Sequence, residues 1–201
     1  ARCGVEGAGK PLRLLILGDS AAVGVGSDSQ SSALSGQLVT ALSIHYYLSW
    51  KLMAKTGHKV SDVLHHMESA DQECFDVAVV SVGVNDVTGG TSLKKWQNTL
   101  GHLCDLLRFK FEIQHVLLSS LPPMHAFPAL PIPLRWYAGK RAMSLNRIMK
   151  DLITRRGDCE FVQTAFPLAK TFIAKDGFHP SPAAYKMWAE QIAKIIIQKW
   201  P

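Results

Sequence analysis

Short, nearly continuous apolar runs punctuate the chain: LRLLIL (12–17), YYLSWKLMA (46–54), FDVAVVSV (75–82), HVLLSSL (115–121) and a weaker CEFV (159–162). Runs of this length predict buried strands. Helix-length segments lie between them at 33–43, 61–69, 92–109 and 135–155, and a last one follows Pro182 in AAYKMWAEQIAKIIIQKW. Strands that are apolar on both sides and alternate with helices predict an α/β fold, a parallel sheet covered on both faces. Residues 1–201 are expected to form one domain, because no repeat, low-complexity tract or linker divides them. Right-handed crossovers bring the C-terminal ends of all the strands to one edge, where such sheets bind their ligands.

That rule selects the residues to inspect. After the first four strands come Gly18-Asp19-Ser20, Lys55-Thr56-Gly57, Gly83-Val84-Asn85-Asp86 and Pro122-Pro123, and a longer stretch after the fifth ends in Asp176-Gly177-Phe178-His179. Each has an ordinary explanation. Ser20 could cap a helix, Gly57 could serve a turn that needs positive φ, Asn85-Asp86 could be turn chemistry, and His179 could be a surface residue ahead of the helix that Pro182 starts. Together they describe a reaction. A serine hydroxyl is a poor nucleophile at neutral pH and needs a base within hydrogen-bond reach. Imidazole suits that role, and a carboxylate on its other nitrogen fixes the tautomer. Asp176 and His179, three apart with Gly177 between them, can present both groups to one point. The backbone N–H of Ser20, the approachable backbone of Gly57 and the side-chain amide of Asn85 are candidate donors to a developing oxyanion.

Composition narrows the function further. The chain is 47% hydrophobic and 19% charged, an ordinary globular balance, and no apolar run approaches the length of a membrane-spanning helix. Its net charge of +6 comes from scattered basic residues. Those of Lys140–Arg156 have helical spacing and read as a solvated face, so no nucleic-acid partner is expected, while weak steering of anionic substrates or membrane surfaces is. Cys3, Cys74, Cys104 and Cys159 share no short spacing, which removes zinc knuckles and CxxC redox motifs, and Cys104 and Cys159 are expected as buried thiols.

GVEGAGKP (4–11) nearly spells a phosphate-binding loop, but Pro11 stands where Ser or Thr is needed and the segment precedes a strand instead of following one. GVG at 24–26 does not extend to a dinucleotide fingerprint. Asp62, His65 and His66 have ligand spacing on a helix but lack a third strong ligand, so no metal is expected. Residue 1 is Ala, which would fit removal of a leader; no signal-peptide pattern is legible, and compartment and oligomeric state stay open. The proline-rich insertion PPMHAFPALPIPLRWY (122–137) is expected either as a pocket wall or as a packed surface loop.

At LGDSAAVGVG, AKTGHKVSDVL, GVND and DGFHPSPAAY, in that order, the sequence resembles the GDSL esterase/lipase family, also called SGNH hydrolases, from Leu12 to Lys199. Ala21 replaces the usual leucine after the serine, and the glycine block is the loosest match. The resemblance implies a flavodoxin-like three-layer α/β/α fold with a five-stranded parallel sheet of order 2-1-3-4-5. It implies Ser20 as nucleophile, His179 as base, Asp176 as its partner, an oxyanion hole of Ser20, Gly57 and Asn85, and no cofactor. The expected substrate is a small-molecule carboxylic ester with a short-to-medium acyl or an aryl group, lysophospholipid and thioester included. Phe127, Leu130, Trp136 and Phe178 are expected around it, with Ile132 and Leu134 in the same apolar insertion. The alternatives are a carbohydrate O-deacetylase of the same family and a non-catalytic anion-binding module of flavodoxin type.

Overall fold

The computed structural model describes residues 2–164 and 170–200; positions 1, 165–169 and 201 of the expected 1–201 domain lie outside the described residues. Among the described residues six strands form one sheet: β1 (Cys3–Glu6), β2 (Lys10–Gly18), β3 (Tyr46–Ala54), β4 (Val77–Ser81), β5 (His115–Ser119) and β6 (Cys159–Val162). Their order is β1-β3-β2-β4-β5-β6. The five strands β2 to β6 are parallel and have the 2-1-3-4-5 order expected.

The sixth strand corrects the expectation of five. β1 is antiparallel on the outer edge of β3, with Cys3 opposite Lys51 and Glu6 opposite Leu48. It is too short and too exposed to carry an apolar pattern, so nothing in CGVE announces it. Gly4 lies in this strand, opposite Trp50, and Gly7 and Gly9 belong to the turn into β2 and not to a phosphate loop. Gly7 has φ 84°, and a Cβ there would lie 2.2 Å from the carbonyl oxygen of Ser43.

The α-helices of the described residues are α1 (Ser20–Val23), α2 (Leu34–Leu42), α3 (Val60–Ser69), α4 (Val84–Thr88), α5 (Leu93–Lys110), α6 (Leu134–Thr154) and α7 (Pro182–Lys199). Alternation along the central strands divides the core into two layers. Leu15 and Leu17 of β2, with Ala78 and Val80 of β4, pack beneath α3, α5 and α6. Leu12, Leu14 and Ile16, with Val77 and Val79, pack beneath α2 and α7 on the other face. Side chains from both faces of β2 are fully buried, and truncating one to Ala would cost about 2–5 kcal/mol. Near the N-terminal end of the sheet, the Arg13 guanidinium grips both oxygens of Asp76, at 2.6 and 3.2 Å. The loops at the opposite edge of the sheet carry the candidate chemistry. Among the described residues no helix is long and apolar enough to cross a membrane.

Candidate active site

β2 ends on Gly18, whose φ of 152° and close approach to β4 exclude a side chain: a Cβ would lie 2.1 Å from the carbonyl oxygen of Ser81. The chain turns there, held by the Asp19 N–H donating to that carbonyl at 3.1 Å. Asp19, not Ser20, is the helix cap, since its carboxylate accepts from the backbone N–H of Ala21 at 3.0 Å. Ser20 is therefore free of the capping task and becomes the first residue of α1. Burial pushes the Asp19 carboxyl up to about 7, with the Ala21 N–H working against the shift and Asp86 adding to it.

His179 reaches Ser20 from the far end of the chain. Asp176–His179 is a tight loop closed by the Ala174 N–H on the His179 carbonyl at 2.8 Å, with Gly177 at φ 72°. One Asp176 oxygen accepts the backbone N–H groups of Phe178 and His179 at 2.9 and 3.0 Å, and the other meets His179 Nδ1 at 2.6 Å. The opposite ring nitrogen, Nε2, lies 2.9 Å from Ser20 Oγ. Partial burial on its own would raise the Asp176 carboxyl, but the N–H of His179, its imidazole and the N–H of Phe178 together hold it below the ordinary carboxylate range. With Nδ1–H donated to Asp176, the lone pair of Nε2 faces the serine hydroxyl, the orientation a general base requires.

Two residues that sequence reasoning passed over help lock this meeting of distant segments. Gly26 (φ 96°) lies against the histidine loop so closely that a Cβ would stand 2.5 Å from the Pro180 carbonyl oxygen and 3.0 Å from His179 Cβ. From α7, the Tyr185 hydroxyl donates to the Val25 carbonyl at 2.7 Å. Neither partnership has a local sequence signature, because each spans most of the chain.

The two other nominated residues sit at the ends of the flanking strands. Gly57 has φ 84°, the positive value its turn needs, with open space where a Cβ would be. Asn85 lies in α4, a short helix where only a turn was expected. Its amide donates to the His58 carbonyl at 3.0 Å, which leaves one N–H for another acceptor. Asp86, buried beside it, accepts the Val60 N–H and the Thr91 hydroxyl, both at 2.9 Å. These bonds fasten the Gly57 loop to α4. Asp19 and Asp86 were both legible as polar residues in short turns, and Asp19 also carried the signature of a cap before a helix.

A cleft with a cavity volume of about 80 Å³ opens beside Ser20 and His179. Pro122, Pro123, Phe127 and Phe178 form an apolar wall, and Ser120 and Thr164 lie among its inner residues. Phe178 stacks edge-on against both Phe127 (5.1 Å) and His179 (5.2 Å). Two residues expected near the substrate are elsewhere. Leu130 is buried in the core under α6, and Trp136 is an exposed residue on α6 with the Lys140 ammonium over its ring. Proline-rich loops have no periodicity from which to read which side chains face inward. Asp62, His65 and His66 line a separate polar groove, and among the described residues no cluster suited to a metal occurs.

The fold is similar to that of LAE5, an alpha/beta hydrolase enzyme from the metagenome of Lake Arreo, Spain, with TM-score 0.72 and 16% identity over 93% of this chain and 95% of that one. It is also similar to a member of the lipolytic protein G-D-S-L family from Veillonella parvula DSM 2008, with TM-score 0.72 and 13% identity over 92% and 98%. A third similar structure is the acetylxylan esterase Axe2 from Geobacillus stearothermophilus, with TM-score 0.67 and 18% identity over 94% and 95%. No curated protein matches the chain in sequence. The family model of the GDSL-like Lipase/Acylhydrolase family matches residues 16–187, from inside β2 to inside α7. That span includes Ser20, Gly57, Asn85, Asp176 and His179, and the chain belongs to this family of carboxylic ester hydrolases.

Proposed function

We propose that this protein is a serine esterase that hydrolyses carboxylic esters through an acyl-enzyme on Ser20. The observation that carries the reading is the continuous hydrogen-bonded line Asp176–His179–Ser20, at 2.6 and 2.9 Å, at the mouth of an apolar cleft. Ser20 Oγ attacks the ester carbonyl carbon while His179 Nε2 takes the hydroxyl proton. The carbonyl oxygen becomes an oxyanion, which the Ser20 N–H, the Gly57 N–H and the remaining amide N–H of Asn85 stabilise. As the tetrahedral intermediate collapses, Nε2–H returns the proton to the departing alkoxide. Water then attacks the acyl carbon, its proton passing to the same nitrogen, and Ser20 is released with the carboxylic acid. Asp176 stabilises the imidazolium in both halves without itself taking the proton. The oxyanion donors act where charge develops, and one such donor is typically worth about 10²–10³ in rate.

The cleft favours hydrophobic acyl groups of modest length. A short-to-medium chain would occupy a cavity of this size, and the wall formed by Phe127, Phe178 and the two prolines offers little to hydrogen-bond a sugar. The rival reading, a carbohydrate O-deacetylase, calls for exposed aromatic platforms; of the aromatic residues lining the cleft, Phe127 and Trp188 are buried and Phe172 and Phe178 only partly exposed. A panel of aryl esters of rising chain length, set beside acetylated xylan, tests both readings. Turnover of short-to-medium acyl esters that vanishes in a folded Ser20→Ala variant is the expected result. Unchanged turnover in that variant would remove Ser20 from the chemistry, and activity confined to sugar acetates would favour the rival.

A further inference from the structure

The proline-rich insertion that forms one wall of the cleft also has an outer side, and that side is apolar. Of the ten exposed large hydrophobic side chains among the described residues, five fall within residues 132–143: Ile132 (81% exposed), Leu134, Trp136 (67%), Tyr137 and Met143 (68%). Their inner neighbours Leu130, Ala138, Ala142 and Leu145 are core residues, so the segment is anchored while its outer face is left exposed by the described residues. Arg135 holds its shape by donating to the carbonyls of Leu130 and Pro128, at 2.8 and 3.1 Å. Pro131 and Pro133 restrict the backbone, so little chain entropy remains to be lost when this face is covered.

The charge of the segment that carries these side chains is one-sided. Residues 113–150 contain no Asp or Glu and five Lys or Arg: Arg135, Lys140, Arg141, Arg147 and Lys150. Along α6 the exposed positions 136, 140, 143, 147 and 150 recur at helical spacing and read Trp, Lys, Met, Arg, Lys. The Lys140 ammonium sits 4.0 Å from the centre of the Trp136 ring and the Arg141 guanidinium 5.8 Å from that of Tyr137. Apolar bodies with basic heads alongside suit the boundary between acyl chains and anionic headgroups. Trp and Tyr settle there, and long basic side chains lay their stems along apolar surface while the charge stays in water. The loop that leads into the patch adjoins the site: the Ala129 N–H donates at 3.2 Å to the carbonyl of Gly177, between Asp176 and His179.

We propose that Ile132, Leu134, Trp136, Tyr137 and Met143, flanked by Lys140 and Arg147, seat the protein on an anionic phospholipid surface with the Ser20 cleft at the lipid boundary. The esters it hydrolyses are then amphiphiles held in that surface. The surface claim stands on the patch alone; the substrate claim rests on the esterase reading above.

Vesicle flotation with phosphatidylcholine, with and without phosphatidylglycerol, tests both, read beside turnover of a soluble acetate ester and sedimentation of the protein alone. The full chain is expected to float with phosphatidylglycerol-containing vesicles and much less with phosphatidylcholine. Of its five tryptophans, Trp50, Trp96 and Trp188 are buried and Trp200 half-buried, so a blue shift of emission on binding reports Trp136 and disappears in Trp136→Phe. Removing a basic charge at such a surface lowers partition about fivefold, so Lys140→Gln with Arg147→Gln should weaken binding to the anionic vesicles about 25-fold. Ile132→Ser with Trp136→Ser should abolish flotation while turnover of the soluble ester is unchanged. Failure of the wild-type chain to float, variants that float as it does, or a patch whose loss alters only self-association in sedimentation would each overturn the surface claim. A protein that ignores vesicles yet hydrolyses the soluble ester loses only this proposal; one that floats but hydrolyses no ester keeps the surface and loses the esterase reading.

Discussion

Replacing Asp19 by Asn isolates the electrostatic state of the residue next to the candidate nucleophile. Asp19 is 2% exposed and, through burial first and Asp86 in addition, titrates at about 7. An aspartate in the unfolded chain titrates near 3.9. Between these values the folded protein binds the proton more tightly than the unfolded one. The contribution of this group is therefore fully present below about pH 4, is lost as pH rises towards 7, and changes no further above that. At about 1.4 kcal/mol per pH step the loss sums to roughly 4 kcal/mol. Asparagine keeps an oxygen to accept the Ala21 N–H, so the cap on α1 survives, but it has no proton to lose. Urea unfolding of both proteins from pH 4 to pH 8 should show Asp19→Asn gaining stability relative to wild type across that range, by about 2–4 kcal/mol at the upper end. Titrations common to both proteins cancel in the difference. Parallel profiles, or a difference that shrinks as pH rises, would refute the assignment of a largely protonated Asp19.

Asn85→Ala should lower kcat for a soluble ester by about 10²–10³ with little change in KM, because the amide is asked to act on the transition state alone; a loss below about fivefold would remove it from the oxyanion site. The same variant also frees the His58 carbonyl, so thermal unfolding should show a modest loss of stability. Gly26→Ala places a Cβ 2.5 Å from the Pro180 carbonyl oxygen at a φ of 96°. It should destabilise the fold by more than about 1 kcal/mol and lower kcat by moving His179, whereas Gly157→Ala, with open space for its Cβ, should leave kcat unchanged.

The five parallel strands and five long helices were legible because burial on both faces writes itself into the sequence as apolar runs and 3.6-residue spacing. The edge strand β1 was not, since CGVE pairs only through its backbone and buries almost nothing. Strand order came from resemblance and not from spacing, as any βαβ unit with the same pattern could be placed on either side. At the site, the residue types at 20, 176 and 179 could be picked out because the chemistry needs a hydroxyl, an imidazole and a carboxylate at strand ends. The division of labour between Asp19 and Ser20 could not, because capping depends on backbone angles at a single residue. Nor could the roles of Gly26, Tyr185 and Asp86, each of which acts on a segment distant in sequence. The insertion misled most: Phe127 lines the cleft, while Leu130 lies in the core and Trp136 is exposed outside the cleft, a difference of facing that prolines erase from the pattern.

The central claim is that the hydroxyl of Ser20 is made nucleophilic by the imidazole 2.9 Å away. Treatment with a fluorophosphonate, followed by peptide mass spectrometry, tests it most directly. The account predicts one covalent phosphonyl adduct, on Ser20, formed much more slowly in a folded His179→Ala variant. An unlabelled Ser20, or labelling that proceeds at the same rate without His179, would contradict it.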